Sequence, residues 1–112
     1  HPQLKHVCCP GLAEHPQHAR AGELFRAFGG LFSFELQSDV DLWEFLNRLQ
    51  VIVKSSNLGD NRTLAIPVAH TIYFEMGAER RASMGIDESL IRISSGIEDS
   101  EDLLADISAA LE

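Results

Sequence analysis

Residues Leu31–Leu36 alternate apolar and polar side chains, with Phe32, Phe34 and Leu36 in one set and Ser33 and Glu35 in the other. A period of two places each set on its own face of an extended strand. Leu90–Ser94 repeats the pattern, with Ile91 and Ile93 set against Leu90, Arg92 and Ser94. Two half-buried strands require a sheet with one face covered. Segments of helical period around them supply the cover.

Lys5–Cys9 reads as a short strand stopped by Pro10-Gly11. Pro16 suits a first helical position, and Ala21, Leu24, Phe25 and Phe28 follow at i, i+3, i+4, i+7 until Gly29-Gly30 ends the helix. Ser38 reads as an N-cap, with Asp39 and Asp41 in the first turn and Leu42, Phe45, Leu46 and Leu49 as the apolar stripe. Val51–Lys54 is a short β-type run, and Asn57–Asn61 is a loop around Gly59. Thr63–Ala69 is apolar but broken by Pro67, which predicts an irregular or edge segment. Glu75–Met84 reads as a helix closed by Gly85. Asp99 caps a last helix with Glu101 and Asp102 in its first turn and Leu103, Leu104, Ile107, Ala110 and Leu111 as its stripe. The order predicts an α+β fold: a small, mainly antiparallel sheet with helices on one face.

A chain of 112 residues makes one domain. Its net charge of -8, with only nine Lys plus Arg, excludes the basic face that nucleic acid or an anionic membrane surface needs. No apolar run reaches the ~18–20 residues of a membrane span. The two cysteines, Cys8 and Cys9, are adjacent and cannot form a disulfide scaffold, so a reducing cytoplasm is the natural location. His6, Cys8, Cys9, His15 and His18 fall close together and raise a thiol or metal site. Their H-x-C-C and H-x-x-H spacings lack the register of zinc ligands, and Cys8 as a buried strand residue is the simpler reading.

Catalytic motifs are absent. Gly29-Gly30 stops a helix rather than opening one, and no GxSxG surrounds Ser94-Ser95-Gly96. His70 stands alone without a paired nucleophile, and a structural role is the simpler one. Arg92 lies mid-strand, where a guanidinium needs a partner or solvent. From spacing alone, a surface salt bridge is the simpler account. The alternative is a carboxylate clamp through two parallel hydrogen bonds.

Four segments carry a resemblance: "PGLAEHPQHA" from Pro10, "FGGLFSFEL" from Phe28, "NLGDNRTL" from Asn57, and "LIRISSGIED" from Leu90 followed by "SEDLLADISAALE". In this order they resemble the C-terminal domain of the Cys/Met-metabolism enzymes that use pyridoxal phosphate (PLP), a family of fold-type I that includes cystathionine gamma-synthase, cystathionine and methionine lyases and O-acetylhomoserine sulfhydrylase. The resemblance implies that Arg92 grips the α-carboxylate of an amino-acid substrate. It also implies that the loop Ser56-Asn57-Leu58-Gly59 lines the same site, largely through backbone groups. Lyases and the gamma-synthase usually read Ser where this chain has Asn57; the homoserine sulfhydrylases commonly read Asn. Two positions depart from the family. Ile66-Pro67-Val68-Ala69-His70-Thr71 has its His and Thr in the other order, so no family role passes to His70, and Cys9 stands where an aromatic is common.

A PLP enzyme needs a Schiff-base lysine, and the only lysines here are Lys5 and Lys54, neither in the family's context. In the family that lysine and almost all cofactor contacts belong to a preceding large domain. The expectation is therefore a small C-terminal domain spanning residues 1–112, with no catalytic residue and no bound PLP of its own. The intact enzyme would be a PLP-dependent, typically tetrameric, trans-sulfuration enzyme. A first residue of His1 rather than Met fits a piece of a longer chain. Two alternatives stand beside it: a stand-alone interaction module derived from this domain, and a thiol or metal-binding domain built on the N-terminal histidines and cysteines.

Overall fold

The computed structural model describes residues 1–112. Five strands, β1 (Leu4–Cys8), β2 (Leu31–Leu36), β3 (Val53–Lys54), β4 (Leu64–Pro67) and β5 (Leu90–Ser94), form one sheet in the order β1-β2-β5-β4-β3. All neighbours are antiparallel except β3 and β4, which run parallel. The helices are α1 (His18–Leu24), α2 (Leu42–Arg48), α3 (Ala78–Ser83) and α4 (Ser100–Leu111), with a 3-10 turn at Phe74–Met76. The α+β class and the mainly antiparallel sheet are as the sequence predicts.

Alternation sorts the sheet residues as expected. Phe34, Leu36, Ile91, Ile93 and Ala65 point to one face, where Leu42, Phe45, Leu46 and Leu49 of the α2 segment and Ala110 and Leu111 of α4 close over them. Phe34 and Phe45 meet edge to face with ring centres 6.0 Å apart. Phe45 is fully enclosed, and such a side chain adds about 2–3 kcal/mol by burial.

A carboxylate inside the helical layer ties this arrangement together. Asp106, on the inner side of α4, accepts from three consecutive amides: Gln50 N at 2.7 Å, Val51 N at 3.0 Å and Ile52 N at 2.9 Å. These amides lie between α2 and β3 and have no strand partner. The helix pattern conceals Asp106, although it sits at i+3 from Leu103 and so falls in the buried stripe. Leu104, assigned to that stripe, is 65% exposed.

Several local expectations need correction. Helix α1 starts two residues after Pro16 and ends at Leu24, because Phe25 turns extended at its C-cap. Gly29-Gly30 therefore does not end it, and Leu24 and Phe25 are about three-fifths exposed, at 59% and 61%. Spacing makes a helix only where the apolar face has something to pack against. The cap of α2 is Asp41, not Ser38: its Oδ1 accepts from Trp43 N and Glu44 N, both at 2.8 Å. Val51 and Ile52 lie outside β3 because their amides go to Asp106. The predicted edge segment is an interior strand, since β4 lies between β5 and β3. Pro67 is tolerated because it pairs at the end of β4, beyond the two residues that β3 contributes. Glu75–Met84 splits into the 3-10 turn and α3, broken at Gly77, whose φ of 81° is left-handed.

Strand β1 pairs with β2 through a bulge at Lys5. The bulge sends Lys5 Nζ to Asp87 at 2.7 Å and Glu35 at 3.2 Å. The hydrogen bond from Lys5, joined by the amide and hydroxyl of Ser89, holds the Asp87 carboxyl down to about 2.

Two predictions follow from these carboxylates. Asp106→Ala leaves three amides without their acceptor and should cost about 2–3 kcal/mol in urea unfolding, with Asp106→Asn intermediate; an unchanged midpoint would show that water replaces the carboxylate. Asp87 has its folded pKa below the unfolded one, so its contribution is complete above about pH 5 and vanishes as pH falls through about 2. The stability gap between the wild type and Asp87→Asn should accordingly narrow over that acid range, and a gap independent of pH would refute the assignment.

Candidate functional site

The face of the sheet opposite the core carries a row of side chains at matching register. Cys8 of β1 pairs with Ser33 of β2, Ser33 with Arg92 of β5, and Arg92 with Ile66 of β4. Arg92 thus stands at the centre of the sheet, held on both sides by strand pairing. Its Nη2 donates to the carbonyl of Ser56 at 2.9 Å and to that of Asn57 at 3.3 Å. Its Nε is buried and has no partner.

The expected surface salt bridge is absent: none of the ion pairs in the chain includes Arg92. Arg81 shows what a structural arginine looks like here. Its Nε and Nη2 both reach Glu88 Oε1, at 3.2 and 2.7 Å, and its Nη1 reaches the carbonyls of Phe74 at 3.1 Å and Tyr73 at 3.4 Å. Arg92, by contrast, is a half-buried cation with neutral acceptors only. A buried donor without a partner costs about 1–3 kcal/mol. An anion at the guanidinium, reaching it from the Nη1 side, would offset the charge that the neutral carbonyls leave uncompensated.

The loop that meets Arg92 is fastened at several points. Asn57 N donates to Ser55 Oγ at 3.3 Å, and Gly59 N donates to Ser94 Oγ at 3.0 Å. Gly59 has a φ of 75°, which a residue with a Cβ rarely adopts. Beyond it, Arg62 donates to Asp60 and holds that carboxyl below its ordinary range. The structure therefore brings together Arg92, Ser56 and Asn57, the three residues singled out from the sequence. Ser56 and Asn57 take part through backbone carbonyls. Ser94, which sequence reasoning did not single out, shares the Arg92 face by the period-two rule.

Both lysines are hydrogen-bonded within the chain. Lys5 Nζ is committed to Asp87 and Glu35, and these bonds raise its pKa. Lys54 Nζ donates to Asn47 Oδ1 at 2.9 Å. At the N-terminus no three His, Cys, Asp or Glu side chains converge on a point that would hold a metal. His18 Nδ1 instead lies 2.8 Å from the Pro10 carbonyl, and its ring stacks on Phe28. Cys8 and Cys9 are free thiols, and Cys8 is half-buried rather than fully buried. His70 meets Glu88 through its carbonyl at 3.0 Å and leans on the edge of Trp43, a structural setting.

Comparison with known proteins gives one consistent family. The profile described as "Cys/Met metabolism PLP-dependent enzyme" matches residues 1–112. Cystathionine gamma-lyase of Bacillus subtilis is 39% identical over 112 residues, which cover all of this chain and 30% of the relative. A crystal structure of cystathionine gamma synthase from Xanthomonas oryzae pv. oryzae in complex with cystathionine superposes with a TM-score of 0.91 and 38% identity, covering 99% of this chain and 29% of that one. One of cystathionine gamma-lyase from Lactobacillus plantarum complexed with L-serine gives 0.93 and 34%, covering 98% and 29%. The chain spans less than a third of the length of these relatives. With its whole length inside the matched region and its fold reproduced, the chain belongs to the family of Cys/Met metabolism PLP-dependent enzymes.

Proposed function

We propose that this chain is the small C-terminal domain of a PLP-dependent trans-sulfuration enzyme and that it binds the α-carboxylate of the amino-acid substrate. The observation that carries this reading is Arg92: buried at Nε, unpaired there, and free of any carboxylate within the chain. The carbonyls of Ser56 and Asn57 hold Nη2, which fixes the plane of the fork for a bidentate ligand. The ligands named for the two related structures, cystathionine and L-serine, both carry an α-carboxylate beside an α-amine.

Fixing the carboxylate at one point restricts the direction of the Cα–H bond, which is the orientation an α-carbon reaction needs. The reaction itself is elimination or replacement at the γ or β carbon. PLP and its lysine come from a large domain outside these residues. Asn57 leans the specificity toward a homoserine-ester sulfhydrylase. The intact enzyme is a homo-tetramer in the cytoplasm, where two free cysteines stay reduced. No helix here is long and apolar enough to cross a membrane.

In the intact enzyme, Arg92→Ala should raise KM for the amino-acid substrate on the order of 10²-fold, from the loss of a charged bidentate pair, while bound PLP stays unchanged. Steady-state kinetics and the cofactor absorbance read the two quantities separately, and an unaltered KM would sink the carboxylate assignment. The 112-residue chain as purified, with no PLP added, should show no aldimine absorbance; a band would mean that the chain holds the cofactor itself.

A further inference from the structure

Strand β5 does more than carry Arg92. Its continuation, Ser95–Glu98, grips the far end of the loop that Arg92 touches. Glu98 Oε1 accepts from Thr63 N at 2.6 Å and Glu98 Oε2 from Thr63 Oγ1 at 2.7 Å. Thr63 Oγ1 accepts in turn from Gly96 N at 2.9 Å, and Ile97 N donates to the Asn61 carbonyl at 2.8 Å. Thr63 is 1% exposed, while Glu98 reaches it from the partly exposed side. The fit leaves no room at Gly96: a Cβ there would lie 2.2 Å from Asn61 O and 2.5 Å from Arg62 C.

The loop is thus fastened to β5 and its continuation at Gly59, Asn61 and Thr63, by Ser94, Ile97 and Glu98. At Ser56 and Asn57 its tie to that strand is the Arg92 guanidinium. Val53 N donates to the Thr63 carbonyl at 2.9 Å and Ser55 N to the Ala65 carbonyl at 3.1 Å, so the position of Thr63 bears on the strand pair that leads into Ser56. We propose that Glu98, acting through Thr63, is a positioning residue for the carboxylate site: it sets the loop against β5 so that the Ser56 and Asn57 carbonyls orient the Arg92 fork. The proposal rests on the carboxylate reading of Arg92. The amide and hydroxyl of Thr63 hold the Glu98 carboxyl below its ordinary range, so the clasp is ionised at neutral pH.

The test is a double-mutant cycle in the intact enzyme, with KM and kcat for the amino-acid substrate. Glu98→Gln should raise KM about five- to tenfold, with kcat within about twofold and PLP content unchanged. In the Arg92→Ala background the same substitution should change KM less than about twofold, because the group it positions is gone. Thr63→Val, which removes the hydroxyl's bonds to Glu98 and to Gly96 N, should follow the same pattern if Glu98→Gln does not fold, and Thr63→Ser, which keeps both, should have the wild-type KM. An unchanged KM in Glu98→Gln overturns the proposal, as does an effect that persists in full on Arg92→Ala. The underlying reading fails by a separate sign, an Arg92→Ala enzyme with wild-type KM.

Discussion

The pairing of β5 on both edges is the constraint from which the rest follows. Its neighbours β2 and β4 hold it in register. Period-two geometry then leaves no freedom in where its side chains go. Ile91 and Ile93, both essentially inaccessible, seal the core. Arg92 and Ser94 must leave by the other face. A slip of one residue would drive the guanidinium into the cluster of Phe34 and Phe45 and expose two isoleucines. The core and the candidate site are therefore one requirement seen from two sides.

Two carboxylates fix the remaining geometry. Asp106 gathers the amides of Gln50–Ile52 and so sets where β3 begins. Glu98 gathers the amide and hydroxyl of Thr63 and so sets where β4 begins. The chain between them includes the loop that faces Arg92. A carboxylate suits this task because it accepts several N–H donors at once, whereas an ammonium cannot satisfy an amide N–H. Part of the acidic excess of the chain, -8 overall, therefore serves the interior and not only the surface.

The sequence displays these features unequally. Alternation exposed β2 and β5, and with them the face that carries Arg92. Asp99 was legible as a cap, and its Oδ1 accepts from Glu101 N at 2.8 Å. Long-range partners were not. Nothing near Asp106 announces that amides 54–56 residues away will need it. Pro67 suggested an edge because the end of β3 cannot be read from β4. Leu24, Phe25 and Phe28 have helical spacing without a helix across them, since the face they would cover is not buried here. For Arg92, spacing alone favoured an ion pair. Only the loop geometry shows that the partners are carbonyls and that a donor is left over.

The distribution of cations carries the argument about function further than their number does. Lys5 is spent between Asp87 and Glu35, Arg81 on Glu88 and two carbonyls, Arg62 on Asp60, and Arg48 on Glu44. Lys54 is held by a neutral amide. Arg92 differs from all of them: it is half-buried, central in the sheet, oriented by two carbonyls and short of an anion. A group arranged this way favours an acid over a neutral ligand, because only the acid offsets the uncompensated charge.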